Sequence, residues 1–338
     1  MKIKINVIKS VLLACSATVF FVSCATAAEY AFVSDDILSI TAVRPALDED
    51  LATLVPSGLQ QASWLNVAEM RTSPLWPTVD ALIETHMSDV LPKSIYRQLS
   101  KSTSEILAAS GHRIPDEPDG FIFLFKGDFK SGPLMAQIQK RLNLKPVDGT
   151  PFDTLKLMNI YIFAPTERTI IIATKSLATS CFDIIAGNAA SLCDDKLFSK
   201  FEKPSFGGVV SLYERGESTL QQKNFQGTPM AQFRWLKDVE RFHGTLKLTQ
   251  SLALEGNATL DEPEQAERVK RDIEGQIRAI TSNALIALLG VKPLIQKLKL
   301  TTEHTQVSIQ WELSNADVKK IVKMIEPLMQ IREMLNAD

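Results

Sequence analysis

Apolar residues recur along the chain with a period that switches between two and about three and a half, and the switches mark out its elements. Trp64-Leu65-Asn66-Val67 reads as a short strand. Leu75, Val79, Leu82, Ile83, Met87 and Val90 then share one helical face, with Pro74 and Pro77 where a first turn tolerates proline. A second helix is expected from about Ser94 to Ser110, with Gly111 at the position after its end. Phe121-Ile122-Phe123-Leu124-Phe125 is a buried strand closed by Gly127-Asp128-Phe129, and a helix through Leu134, Ile138 and Leu142 follows it. Two more strands, Ile160 to Phe163 and Thr169 to Ala173, flank the polar turn 165–168. They lead to a helix carrying Leu177, Cys181, Ile184 and Ile185.

The second half repeats that order. Leu252-Ala253-Leu254 leads to Gly256-Asn257-Ala258-Thr259, and a helix follows with Ala266, Val269, Ile273, Ile277 and Ile280 on one face. Strands at Leu298–Leu300 and Val307–Leu313 alternate with period two. Ser314 then opens a last helix, with Asp317 at the spacing of a capping box. Its buried face would be Val318, Ile321, Val322, Ile325 and Leu328. The expected class is α+β: two related strand–helix–hairpin–helix units with antiparallel sheets covered by helices. The expected divisions are residues 1–27 (a signal peptide), 28–60 (a polar approach segment), 61–205 (the first unit) and 206–338 (the second).

Trp64-Leu65-Asn66-Val67 with Ser73-Pro74-Leu75-Trp76, the strand ending Gly127-Asp128-Phe129, and Gly256-Asn257-Ala258-Thr259-Leu260-Asp261 ahead of an Ala- and Glu-rich helix together resemble an uncharacterised group of exported bacterial proteins. The resemblance covers most of residues 45–330. It implies a duplicated α+β fold and a secreted or lipoprotein location, and it brings no catalytic residues.

Export is also written in the first residues. Lys2, Lys4 and Lys9 form a positive start, Val11 to Val22 an apolar stretch, and Ala25-Thr26-Ala27 offers small residues for cleavage. The stretch is too short to span roughly 30 Å of hydrocarbon. Phe21-Val22-Ser23-Cys24 also resembles a lipobox, so Cys24 is either removed with the leader or lipidated. The expected location is the periplasm or cell envelope, soluble or lipid-anchored.

The chain of 338 residues is 45% hydrophobic and 22% charged, an ordinary globular composition. Removing residues 1–27 takes away three lysines and no acid, moving the net charge from −2 to −5. That mild acidity argues against nucleic acid and anionic lipid as partners. Cys181 and Cys193 remain in an oxidising compartment, where a disulfide closing their short loop would contribute about 3 kcal/mol. Two unpaired buried thiols are the alternative.

Catalytic signatures are missing from the sequence. His86, His112, His243 and His304 form no zinc-binding spacing, and there is no Gly-x-Ser-x-Gly elbow or phosphate loop. Acids at 116–119, 194–195 and 261–264 sit in loops or helix starts, where solvent or the helix dipole explains them. No enzyme, metal or cofactor is expected. The expected role is binding or structure at the envelope through an unknown protein partner, with a carrier for a hydrophobic ligand as the alternative. Leu285, Leu288, Leu289, Leu294, Phe233 and Trp235 are candidate apolar contact residues, with burial in the core as the competing reading.

Overall fold

A computed structural model describes residues 50–87, 93–111, 120–195, 198, 203–214, 235, 238–282, 290, 292–321 and 323. Its frame is one twelve-stranded antiparallel sheet in the order β11-β12-β10-β9-β8-β1-β2-β3-β7-β6-β5-β4. The strands are β1 (Gln61–Asn66), β2 (Thr103–Ser110), β3 (Phe121–Gly127), β4 (Lys145–Val147), β5 (Thr154–Leu157), β6 (Ile160–Thr166), β7 (Thr169–Thr174), β8 (Gly208–Glu214), β9 (Val239–Leu248), β10 (Ser251–Leu260), β11 (Lys299–Glu303) and β12 (Gln306–Ser314). The helices are α1 (Val67–Met70), α2 (Trp76–Met87), α3 (Lys93–Ser102), α4 (Ser131–Leu142), α5 (Lys175–Ala186), α6 (Pro263–Thr281) and α7 (Lys292–Ile295). Residues 315–321 are helical as well.

Read outward from the β1–β8 contact, one arm runs β1-β2-β3-β7-β6 and the other β8-β9-β10-β12-β11. Each arm sends a helix, α4 or α6, out of its third strand, and β5 and β4 extend the first arm alone. At the seam Ser63 stands opposite Ser211, so the arms meet antiparallel about their own middles.

Side chains alternate across the sheet and divide the core. The first face carries Leu65, Ile106, Phe125, Val209, Leu254 and Trp311, covered by α1, α2, α3, α4, α6, α7 and the turn at 315–321. The second face, in the first arm, carries Trp64, Leu107, Leu124, Ile171 and Phe163 under α5 and residues 51–59. Phe163, Phe152 and Phe182 pack there at centroid distances of 4.8 to 6.0 Å. In the second arm no described helix covers the second face.

Several expectations are corrected. The helix expected over 94–110 ends at Ser102, and β2 follows, because this stretch lies between β1 and β3 and must bury both faces. Ile106 and Ala108 point one way, Leu107 and Ala109 the other, which erases the period of two. Gly111 keeps the left-handed φ of 81° expected after a helix, but it ends a strand and donates to the Gly120 carbonyl at 2.9 Å. Gly256 is mid-strand in β10 opposite Gly244 rather than a strand end. The approach segment is core where it is described, since Leu51, Leu54, Val55 and Leu59 are buried and Asp50 caps their 3-10 turn. A Cβ on Gly208 would lie 2.0 Å from the Leu246 carbonyl oxygen, so only glycine permits this approach of β8 to β9.

Candidate functional site

Three places on the sheet bring polar or apolar groups together in ways the core alone does not require. The first is the seam. On the first face Ser63 Oγ and Ser211 Oγ lie 2.8 Å apart, and Gln61 donates to Ser110 Oγ beside them; all four residues are buried. A hydroxyl pair at the centre of an apolar face satisfies itself and fixes the register of the two arms. Next to it the Phe242 ring lies across Gly244 and Gly256, whose Cβ positions would fall within 2.7 and 3.0 Å of it. The glycines thus leave room for the ring to lie flat on the sheet.

The second place is the bare second face of β9, β10, β12 and β11. Arg241, His243, Glu255, Asn257, Gln310 and Glu312 project from it and are exposed. They are laced across strands: Arg241 to Glu214 at 3.3 Å, Lys247 to Glu255 at 3.4 Å, Ser251 Oγ to Glu312 at 3.3 Å, and Ser308 Oγ to Asn257 Oδ1 at 2.7 Å. Each exposed pair contributes little to stability, about 0 to 1 kcal/mol. Together they make a broad, exposed, mixed-charge sheet face.

At the outer end of that arm lies a pocket of about 230 Å³ between α6, α7 and β11. Ile277, Ile295, Leu298 and Leu300 line it, with Glu274, Arg278 and Gln296. It is smaller than the roughly 300 Å³ at which ligand pockets begin. Leu157 and Met158 form a separate apolar point, 43% and 68% exposed on the β5–β6 hairpin turn, where Met158 holds a left-handed φ of 54°.

A polar cluster among α1, α2 and α3 is closed on itself. Asp80 Oδ1 accepts from Tyr96 Oη at 2.7 Å and Ser100 Oγ at 2.6 Å, while Arg71 Nη2 donates to the Ser100 carbonyl at 2.7 Å. Burial, reinforced by Asp80, pushes the Tyr96 phenol above its ordinary range. Burial also lowers Arg71 against the opposing pull of Asp80. These groups tie three helices together.

The disulfide expected between Cys181 and Cys193 is not formed; both are free thiols. Cys181 faces inward from α5 and is fully buried, which raises its thiol well above the ordinary range. In the 3-10 turn Leu192–Asp194, Leu192 takes the inward position and Cys193 faces out. Partial burial, with Asp50 and Asp194 nearby, raises the Cys193 thiol too. Asp194 accepts from the Ser191 amide at 2.9 Å and its hydroxyl at 3.0 Å, and these bonds lower its carboxyl.

Of the candidate contact residues, Leu294 is core rather than surface. It is buried, and its carbonyl accepts from the buried Trp311 Nε1 at 2.8 Å. Trp235 is half-buried against the α6 cluster. Leu285, Leu288, Leu289, Phe233 and Cys24 lie outside the described residues, as do His112 and the acids at 116–119. His243 and His304 are exposed and apart, on β9 and on the β11–β12 turn. Among the described residues, no group of three or more His, Cys, Asp or Glu could hold a metal, and no helix is long and apolar enough to cross a membrane. Sequence reasoning found a strand at Leu298–Leu300 but missed its place at the rim as β11, and it missed the pairing of the seam serines, because each depends on which strands become neighbours.

No family model and no curated protein matches this chain in sequence. Among solved structures, crystal form III of TP0453 is similar at a TM-score of 0.52 and 12% identity, covering 82% of this chain and 98% of that one. Crystal form IV gives a TM-score of 0.49 at 11% identity, over 84% and 97%. The first likeness shows a shared fold over most of the chain.

Proposed function

We propose that this protein is an exported, non-enzymatic component of the bacterial cell envelope that acts by binding a protein partner. The observation that carries the reading is the bare second face of β9, β10, β12 and β11. Exposed and polar, with both charge signs interspersed, it suits a protein surface better than a small molecule, which needs enclosure. The leader-like residues 1–27 and the resemblance to an exported group support the location. The carrier reading rests on the apolar lining of the pocket between α6 and α7, and that pocket is small for the task.

Mass spectrometry of the protein purified from its native envelope tests location and cargo together. A chain beginning at Ala28, or at a lipidated Cys24, supports export, whereas an intact residue 1–27 stretch in a cytoplasmic fraction overturns it. A lipid or other hydrophobic molecule recovered in equal amount with the chain would favour the carrier. A photo-crosslinker replacing Asn257 on the bare face is expected to capture one polypeptide that the same probe replacing Lys270 on α6 does not. Equal capture from both positions would remove the bare face from the argument.

A further inference from the structure

The two ends of the sheet are finished differently. At one end β4 is three residues long and includes Pro146, which has no N–H to offer a neighbour. At the other end β11, Lys299-Leu300-Thr301-Thr302-Glu303, has five residues, no proline, and no described strand along its outer side. Lys299, Thr301 and Glu303 project from its second face and are exposed.

We propose that β11 is the contact for a second copy of this chain. It pairs antiparallel with β11 of the other copy about a dyad at Thr301, continuing the sheet from one copy into the next. The strand is complementary to itself in this register. Lys299 of each copy stands opposite Glu303 of the other, Leu300 opposite Thr302, and Thr301 opposite Thr301. Two opposite-charge pairs and a hydroxyl pair form at once, each a favourable cross-strand combination. Centring the dyad on Leu300 instead puts Lys299 opposite Thr301, and centring it on Thr302 puts Glu303 there. Both alternatives lose the two Lys299–Glu303 pairs.

The molecule already contains a joint of this kind. Its two arms meet antiparallel at β1 and β8 with the Ser63–Ser211 hydroxyl pair at the middle. The β11 contact repeats that joint between copies, with threonine in place of serine. An even register also keeps like faces together, as an isologous contact requires, so the bare faces of both copies become one surface. The pocket lined by Ile277, Ile295, Leu298 and Leu300 lies on the other face of the same edge, and a second copy would cover its apolar lining.

Sedimentation equilibrium on the processed protein, at low salt and over a range of concentrations, tests this. The expected result is a reversible monomer–dimer equilibrium. Lys299→Glu and Glu303→Lys should each weaken dimerisation at least about tenfold, since each turns two attractive pairs into repulsive ones. Both side chains are exposed, so circular dichroism of either variant should match the wild type. The double variant Lys299→Glu/Glu303→Lys should dimerise again, and an equimolar mixture of the two single variants should form the mixed dimer although neither pairs with itself. A wild-type chain still monomeric at about 0.5 mM overturns the proposal. So does a dimer that neither charge reversal weakens.

Discussion

Cys181 and Cys193 illustrate how orientation overrides spacing. Twelve positions apart in a chain expected to be exported, they invite a bridge, yet an inward position on α5 and an outward position in a 3-10 turn hold them as separate thiols. Native protein lacking Cys24 is therefore expected to release one equivalent of thiol to a maleimide, slowly, because the Cys193 thiol is raised by burial and neighbouring acids. The second equivalent, Cys181, should appear only in denaturant. Zero equivalents in the unfolded, unreduced chain would mean the bridge exists. The setting of Asp317 favours its charged form. Lys297 donates to it, as do the Ser314 hydroxyl at 2.7 Å and amide at 2.9 Å, and these hold it down at about 2. A carboxyl lowered on folding stabilises the fold above its ordinary range near pH 4, and that contribution drains away as pH falls toward 2. In urea titrations Asp317→Asn should thus be less stable than wild type at pH 5, with the gap closing by pH 2. A gap constant across that range would show that the charge is not what matters.

At the level of elements, legibility followed how locally each one is determined. The helix α6 was readable from Ala266, Val269, Ile273 and Ile277, since a single apolar stripe faces the sheet. The strand β12 was readable from strict alternation, and the Ser314–Asp317 capping box from its spacing. The strand β2 was not, because a central strand covered on both faces loses its alternation. Nor were β4 and β5, which are short, polar and dependent on β6 for their place. The seam between β1 and β8 is an element-scale contact that can be measured directly. Ser63→Ala or Ser211→Ala alone leaves one buried hydroxyl without its partner, at a cost of about 1 to 3 kcal/mol. Changing both together should cost clearly less than the sum of the two single changes. An additive double-mutant cycle would mean that the two hydroxyls do not interact.

For the molecule as a whole, two units had been expected from the sequence with a boundary near residue 205, and the strand orders of the two arms are alike. What no local pattern could supply is that the arms share a core. Leu65, Met70 and Leu75 pack with Val209, Leu248 and Leu313 in one cluster that straddles that boundary. The helices that follow β7 and β12 also part company, α5 going to the second face and residues 315–321 to the first. Among the described residues, that difference leaves no helix on the second face of the second arm. The candidate sites were legible only as composition. Residues 299–303 show their charge symmetry in the sequence, but their position at the rim emerges only once twelve strands are ordered.

The seam also sets a timetable. Ser63 and its partner Ser211 are 148 residues apart, so a chain emerging amino end first completes β1, β2, β3, β6 and β7 long before β8 exists. During that interval one side of β1 is an open strand edge in a crowded compartment, the condition under which nascent proteins stick to one another. Closing so long a loop is slow by nature. In refolding followed by pulsed hydrogen exchange, amides of β8 and β9 should gain protection after those of β3 and β7. Simultaneous protection across the seam would mean that the arms do not fold in sequence.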